Sequence, residues 1–198
     1  MRRLLAIALV LTLAAGLSPW LAGLSAQERG QDDGGGASFI TPFPENDTYR
    51  LWVIGDSYAE GLLVGLPDVL GPEQRVDIPK RTRNIPTLMR AEIEEDSRSL
   101  EEVPQKDAPH IAVVMIGARD RVTLRPQGRA LPIGSPEWRD IYGRRVDRIM
   151  KALKRKRIAT YWVGLPVVAR LEWNDDVQMM NEIIREKAFV NGVRFIDV

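Results

Sequence analysis

The sequence has no cysteine and a single histidine, His110. Without cysteine there are no disulfides, no thiol nucleophile and no thiolate metal ligands. One histidine and scattered carboxylates leave no metal-binding constellation, and no motif calls for a cofactor. A dominant charge is also lacking: 28 basic residues face 27 acidic ones across 198 positions, a formal net charge of +1. Such a balance carries no electrostatic footprint for nucleic acid. The one basic cluster, Lys151, Lys154, Arg155, Lys156 and Arg157, closes a predicted helix, where it complements the helix dipole. There are no internal repeats.

One long apolar run is present, at the N-terminus. Met1, Arg2 and Arg3 form a positive start, residues 4–13 are almost uninterruptedly apolar, and Leu24-Ser25-Ala26 offers a small-residue cleavage site. Residues 1–26 are therefore expected to be a signal peptide, or an uncleaved membrane anchor if the run extends to Leu24. Either reading puts the folded part outside the cytoplasmic membrane, in the periplasm or tethered to its outer face. Residues 27–48, with Gly34-Gly35-Gly36, paired acids and two prolines, read as a flexible linker. Residues 49–198 then make one α/β domain.

Within that domain apolar runs alternate with amphipathic segments, the βαβα pattern of a parallel sheet. Strands are expected at residues 49–54, 75–78, 110–116, 158–163 and 193–198. The third of these, HIAVVMI, is apolar throughout and suits a central strand covered on both faces. Helices are expected at 58–70, from Pro86 to about Leu100, from Ser135-Pro136 onward, and at 174–189 before Asn191-Gly192. Trp138, Tyr142, Val146, Ile149 and Leu153 form one buried stripe on the long helix. Trp138 and Trp173 are expected to pack against other elements rather than line a pocket. The fold class is a three-layer, flavodoxin-like open sheet of five parallel strands. Ligands of such sheets bind beyond the carboxyl ends of the strands.

Gly55-Asp56-Ser57-Tyr58 stands at such an end, directly after the first strand and at the start of a helix. Helix N–H groups and the positive dipole end there can stabilise a negatively charged oxygen. At these residues the chain resembles the SGNH/GDSL hydrolases. The first family block matches as GDSYAEGL, Gly55 to Leu62; the third, Gly-x-Asn-Asp, is approximated by Gly117-Ala118-Arg119-Asp120; and VGLP, Val163 to Pro166, resembles a block of an exported branch of uncharacterised function. The resemblance covers roughly residues 51–198. It implies that Ser57 is a nucleophile toward ester carbonyls and one oxyanion donor, with Asp56 a structural neighbour. Gly117 would allow close approach of backbone to substrate, and Asp120 would line the site.

The chain also departs from the pattern. Arg119 replaces the asparagine donor. The second-block glycine is not evident, Asn84 being the nearest substitute because asparagine tolerates positive φ. The late Asp-x-x-His that supplies the base is absent. His110 precedes its strand and so belongs at the opposite end of the sheet, roughly 20 Å from the serine, too far for a base that must reach within about 3 Å. The chain stops on its fifth strand, so its C-terminal part is expected to be missing.

The expected function is an exported serine esterase or acyl-hydrolase acting on an acyl, notably acetyl, ester of a cell-envelope glycan. The alternatives are a catalytically inactive glycan- or partner-binding relative, for which Arg119, Arg121 and Arg125 suit an anionic ligand, or a non-functional fragment. Membrane contact is expected only through an uncleaved anchor.

Overall fold

The computed structural model describes residues 48–71 and 75–198. The signal or anchor segment and nearly all of the linker lie outside them. The first strand, β1 (Tyr49–Gly55), leads into helix α1 (Ser57–Leu70). Two short strands follow, β2 (Val76–Asp77) and β3 (Arg83–Asn84), then helix α2 (Ile93–Glu101) and strand β4 (Ile111–Met115). Helix α3 (Pro136–Arg155), strand β5 (Ala159–Val163), helix α4 (Asn174–Asn191) and strand β6 (Arg194–Ile196) complete the order.

The strand order is β2-β1-β4-β5-β6, with all pairings parallel. Where one second strand was expected there are two fragments. β2 pairs with the beginning of β1 at Tyr49 and Arg50, and β3 pairs with its end at Ile54 and Gly55. β4 lies between β1 and β5, the central position its apolar run calls for.

The alternation along the strands separates two cores. Ile54, Ala112, Val114, Ile116 and Trp162 face the helices α2, α3 and α4. Leu51, Val53, Met115 and Val163 face the other way and pack with α1. The predicted stripe of α3 is the spine of the larger core: Trp138, Tyr142, Val146, Ile149 and Leu153 are all fully buried, and Trp138 stacks on Tyr142 with ring centroids 5.0 Å apart. Ser135 caps this helix by accepting from the Trp138 N–H, with Pro136 in the first turn. Gly192, at φ 68°, ends α4 in the left-handed conformation expected of a C′ glycine.

The helix expected from Pro86 is corrected. It begins only at Ile93, because backbone and side-chain groups of residues 87–90 are engaged elsewhere. Thr87 Oγ1 and the Leu88 N–H donate to Asp120, the Leu88 carbonyl accepts from Arg145, and Arg90 forms a two-pronged ion pair with Asp96. These tertiary contacts outweigh the modest helix preference of the segment. Among the described residues no helix is long and apolar enough to cross a membrane.

Stability should follow this division of faces. Replacing Ile149, which is fully buried, with alanine should cost about 2–5 kcal/mol. Replacing Val64 on α1, which is 80% exposed, should change stability by no more than about 0.5 kcal/mol. Urea unfolding of the two variants checks the contrast.

Candidate active site

β1 ends on Gly55, at φ +146°, and a Cβ there would sit 1.9 Å from the Met115 carbonyl oxygen. Only glycine lets β1 and β4 approach so closely at this point. Asp56 follows in extended conformation as the N-cap of α1, and one of its carboxylate oxygens accepts from the Tyr58 N–H at 3.0 Å. The other oxygen crosses to the adjacent strand end and accepts from the Gly117 and Ala118 N–H groups, both at 2.8 Å. Asp56 is buried. Three amide donors on one buried carboxylate are charge-assisted bonds, each stronger than a neutral one. Because Asp56 performs the capping, Ser57 is left exposed at the first position of the helix, at the positive end of its dipole.

The loop after β4 is anchored a second time by Asp120. It does not line the edge as expected but is fully buried. One oxygen accepts from Thr87 Oγ1 at 2.5 Å and from the Leu88 N–H at 2.9 Å. The other oxygen, like the Tyr142 hydroxyl, lacks a hydrogen bond of normal geometry, although the two buried groups feel each other's presence. Burial pushes the Asp120 carboxyl up to about 6 against the lowering effect of the Thr87 and Leu88 bonds, and the Asp56 charge adds to the rise. Burial likewise raises the Tyr142 phenol well above its ordinary value, with the Asp120 and Asp56 charges acting in the same sense. Through Asp120, the loop after β4 is tied to Thr87 and Leu88 of the segment that follows β3.

Asn84 does lie at the carboxyl edge, since β3 pairs it with Gly55 and the Ile85 N–H donates to the Gly55 carbonyl. Its backbone is that of a strand, so the expected left-handed conformation is not used. Gly117 has φ +152°, but the space a side chain would take is occupied by Leu165, 2.5 Å from the ideal Cβ. With its N–H given to Asp56, Gly117 serves the junction of loop and core rather than the approach of a substrate. Arg119 is exposed two residues further on and makes no ion pair or side-chain hydrogen bond among the described residues.

His110 is where the sequence put it, at the amino end of the sheet. Its Nδ1 accepts from the Arg50 N–H at 2.9 Å, and its ring meets Tyr49 edge-on. Burial and the nearby Arg50 charge lower its pKa. The length of β1 separates it from Ser57 by about 20 Å. Among the described residues no group of histidines and carboxylates could hold a metal ion.

Sequence reasoning missed the structure at the ends of β4 and β5. Arg121 binds Asp176 through Nε at 2.7 Å, and its guanidinium lies 4.3 Å from the Trp173 ring centroid. Arg170 lies over the same ring at 4.5 Å. Trp138, by contrast, packs in the core as expected, donating Nε1–H to the Val122 carbonyl. The loop from Gly164 to Trp173 is gripped by two asparagines of α4. Asn181 bonds both the N–H and the carbonyl of Leu165, and Asn174 does the same for Val168. Asparagine can do this because one amide presents a donor and an acceptor side by side. The only sequence signal for this cluster was the placement of Trp173 beside arginines on a strand-end loop.

The parallel order and the serine turn after β1 define a fold of the SGNH/GDSL type. A GDSL-like lipase from Bacteroides thetaiotaomicron superposes with a TM-score of 0.51 at 16% identity, over 78% of this chain and 70% of that one. A putative acylhydrolase from Bacteroides fragilis gives 0.51 at 16% identity, over 85% and 76%. An acetyl-xylooligosaccharide esterase from Geobacillus gives 0.50 at 15% identity, over 75% of each chain. At residues 50–198 the chain matches the family described as "Protein of unknown function (DUF459)", and it belongs to that family. No curated protein matches the sequence.

Because Asp120 binds its proton more tightly folded than unfolded, its contribution to stability is full below the ordinary value of 3.8 and is lost as pH rises through about 6. The difference corresponds to about 3 kcal/mol between pH 3.5 and 7. Asp120→Asn keeps the acceptor for Thr87 and Leu88 and removes the ionisation. The variant should therefore be more stable than the parent at pH 7, by an amount that shrinks toward pH 4. Denaturant unfolding at several pH values reads this, and parallel profiles would assign the titration to another group.

Proposed function

We propose that this protein is a serine esterase or acyl-hydrolase of the SGNH type, with Ser57 as nucleophile, acting on an acyl ester of a cell-envelope glycan. The observation that carries the proposal is the exposed Ser57 at the start of α1, with the neighbouring backbone locked by Asp56. In the reaction the Ser57 oxygen attacks the ester carbonyl, the alcohol leaves with a proton, and water releases the acyl group from the serine. The negative oxygen of the tetrahedral intermediate would be met by the Ser57 N–H at the helix terminus. Arg119, exposed on the adjoining loop, offers a charged donor where the family has an asparagine. The esterases among the structural neighbours support the reaction class, and the acetyl-xylooligosaccharide esterase supports an acetylated sugar as substrate. Residues 1–26 support export, so the substrate would be met in the periplasm or at the outer face of the cytoplasmic membrane.

A second reading, a non-catalytic relative that binds a glycan or partner, is favoured by two observations. No histidine among the described residues comes near Ser57, and Arg119 stands in for the asparagine. One assay separates the two. The protein expressed from its full reading frame should hydrolyse 4-nitrophenyl acetate or an acetylated oligosaccharide, and Ser57→Ala should reduce the rate at least about 1,000-fold, as loss of a covalent nucleophile does. Equal rates in both proteins, or no turnover above background, would leave the non-catalytic reading.

A further inference from the structure

The carboxyl edge of the sheet carries three arginines with unequal partners. Arg121 is neutralised by Asp176, whose carboxylate lies 2.7 Å from its Nε and 2.6 Å from a terminal nitrogen. Arg119 and Arg170 are exposed, and neither has a carboxylate partner among the described residues. Glu172 and Asp175, exposed nearby, pair with none of the three. Arg170 nonetheless has a packing partner: its guanidinium carbon lies 4.5 Å from the ring centroid of the half-buried Trp173. An arginine held over a ring keeps N–H donors for other groups, and its fork can grip a carboxylate or phosphate with two parallel bonds. The ring is itself held by Arg121 above it, and the loop carrying Arg170 is pinned at Leu165 and Val168 by the two α4 asparagines. The entropy of ordering an arginine has thus largely been spent before any ligand arrives.

We propose that Arg170, supported by Trp173 and with Arg119 between it and Ser57, forms a subsite for an anionic substituent, a carboxylate or a phosphate, on the molecule bound at Ser57. The proposal rests on the reading of Ser57 as the acyl-ester site and adds the charge class of its substrate. Position agrees with this. In the sheet order β4 stands between β1 and β5, so the turn bearing Ser57, the loop bearing Arg119 and the loop bearing Arg170 leave three neighbouring strands at the same carboxyl edge. The subsite is a specificity element, and Arg170 takes no part in bond making.

The test is calorimetric titration of the full-length protein at 0.15 M salt with three probes: trigalacturonate, a sugar phosphate and neutral xylotriose. One or both anionic probes should bind saturably and xylotriose at least tenfold more weakly. The better anionic probe identifies the carboxylate or the phosphate as the recognised group. Arg170→Ala should weaken that binding at least tenfold, and Arg170→Lys, which supplies a point charge without the fork, should restore it only in part. In parallel, turnover of 4-nitrophenyl acetate by the parent protein reports on the esterase reading separately. Equal affinity for neutral and anionic probes, absence of binding by either anion, or an unchanged affinity in Arg170→Ala would overturn the subsite. Anion binding that depends on Arg170 in a protein without esterase turnover would uphold the subsite and defeat the esterase reading alone.

Discussion

The carboxylate of Asp56 is the interaction on which the rest of the site depends. Parallel strands end side by side with their last amides unpaired, and loops leaving those ends have no reason to keep a fixed relation. Asp56 removes that freedom. One oxygen closes the first turn of α1, and the other takes two amides at the start of the loop after β4. Its burial makes these bonds costly to break, because a carboxylate left without donors away from water carries a large penalty. Helix start, strand end and loop start become one rigid junction, and Ser57 is the exposed residue beside it.

Asp120 extends this junction inward under opposite conditions. Asp56 has its donors on both oxygens, whereas Asp120 has them on one, and its second oxygen faces a tyrosine hydroxyl in an apolar setting. Desolvation therefore wins at Asp120 and favours the neutral acid. The loop between them, from Gly117 to Asp120, is suspended from two carboxylates with different demands, and Arg119 projects from its outer side.

Much of this was legible in the sequence where the signal is periodic or local. The stripe on α3, the Ser135 cap, the Gly192 stop and the apolar run of β4 each follow from spacing or from one residue's backbone preference, and each appears in the structure. The serine turn was readable for the same reason, since Gly-Asp-Ser after a strand has a local mechanism. What failed depended on distant partners. Residues 86–92 have a helical composition, but Asp120 and Arg145, both remote in sequence, claim their polar groups. The split of the second strand into β2 and β3 is set by its register against β1 and leaves no periodic trace in two-residue pieces. Gly117 was expected to let a substrate approach the backbone, but Leu165, nearly fifty residues away, fills the space where its side chain would be. The Arg121–Trp173–Arg170 group was missed because its members come from two loops that only the sheet brings together.

The grip of Asn174 and Asn181 on the loop after β5 has an evolutionary consequence. Both side chains hold main-chain groups, at Val168 and Leu165, and main-chain groups are the same whatever residue carries them. Positions 167, 169, 170 and 171 are exposed and are not part of either clamp. They can be exchanged without loosening the loop's path. The protein thus carries a fixed frame with replaceable tips, and relatives could acquire different recognition chemistry at the Arg170 position by single substitutions while leaving the scaffold around Ser57 unaltered.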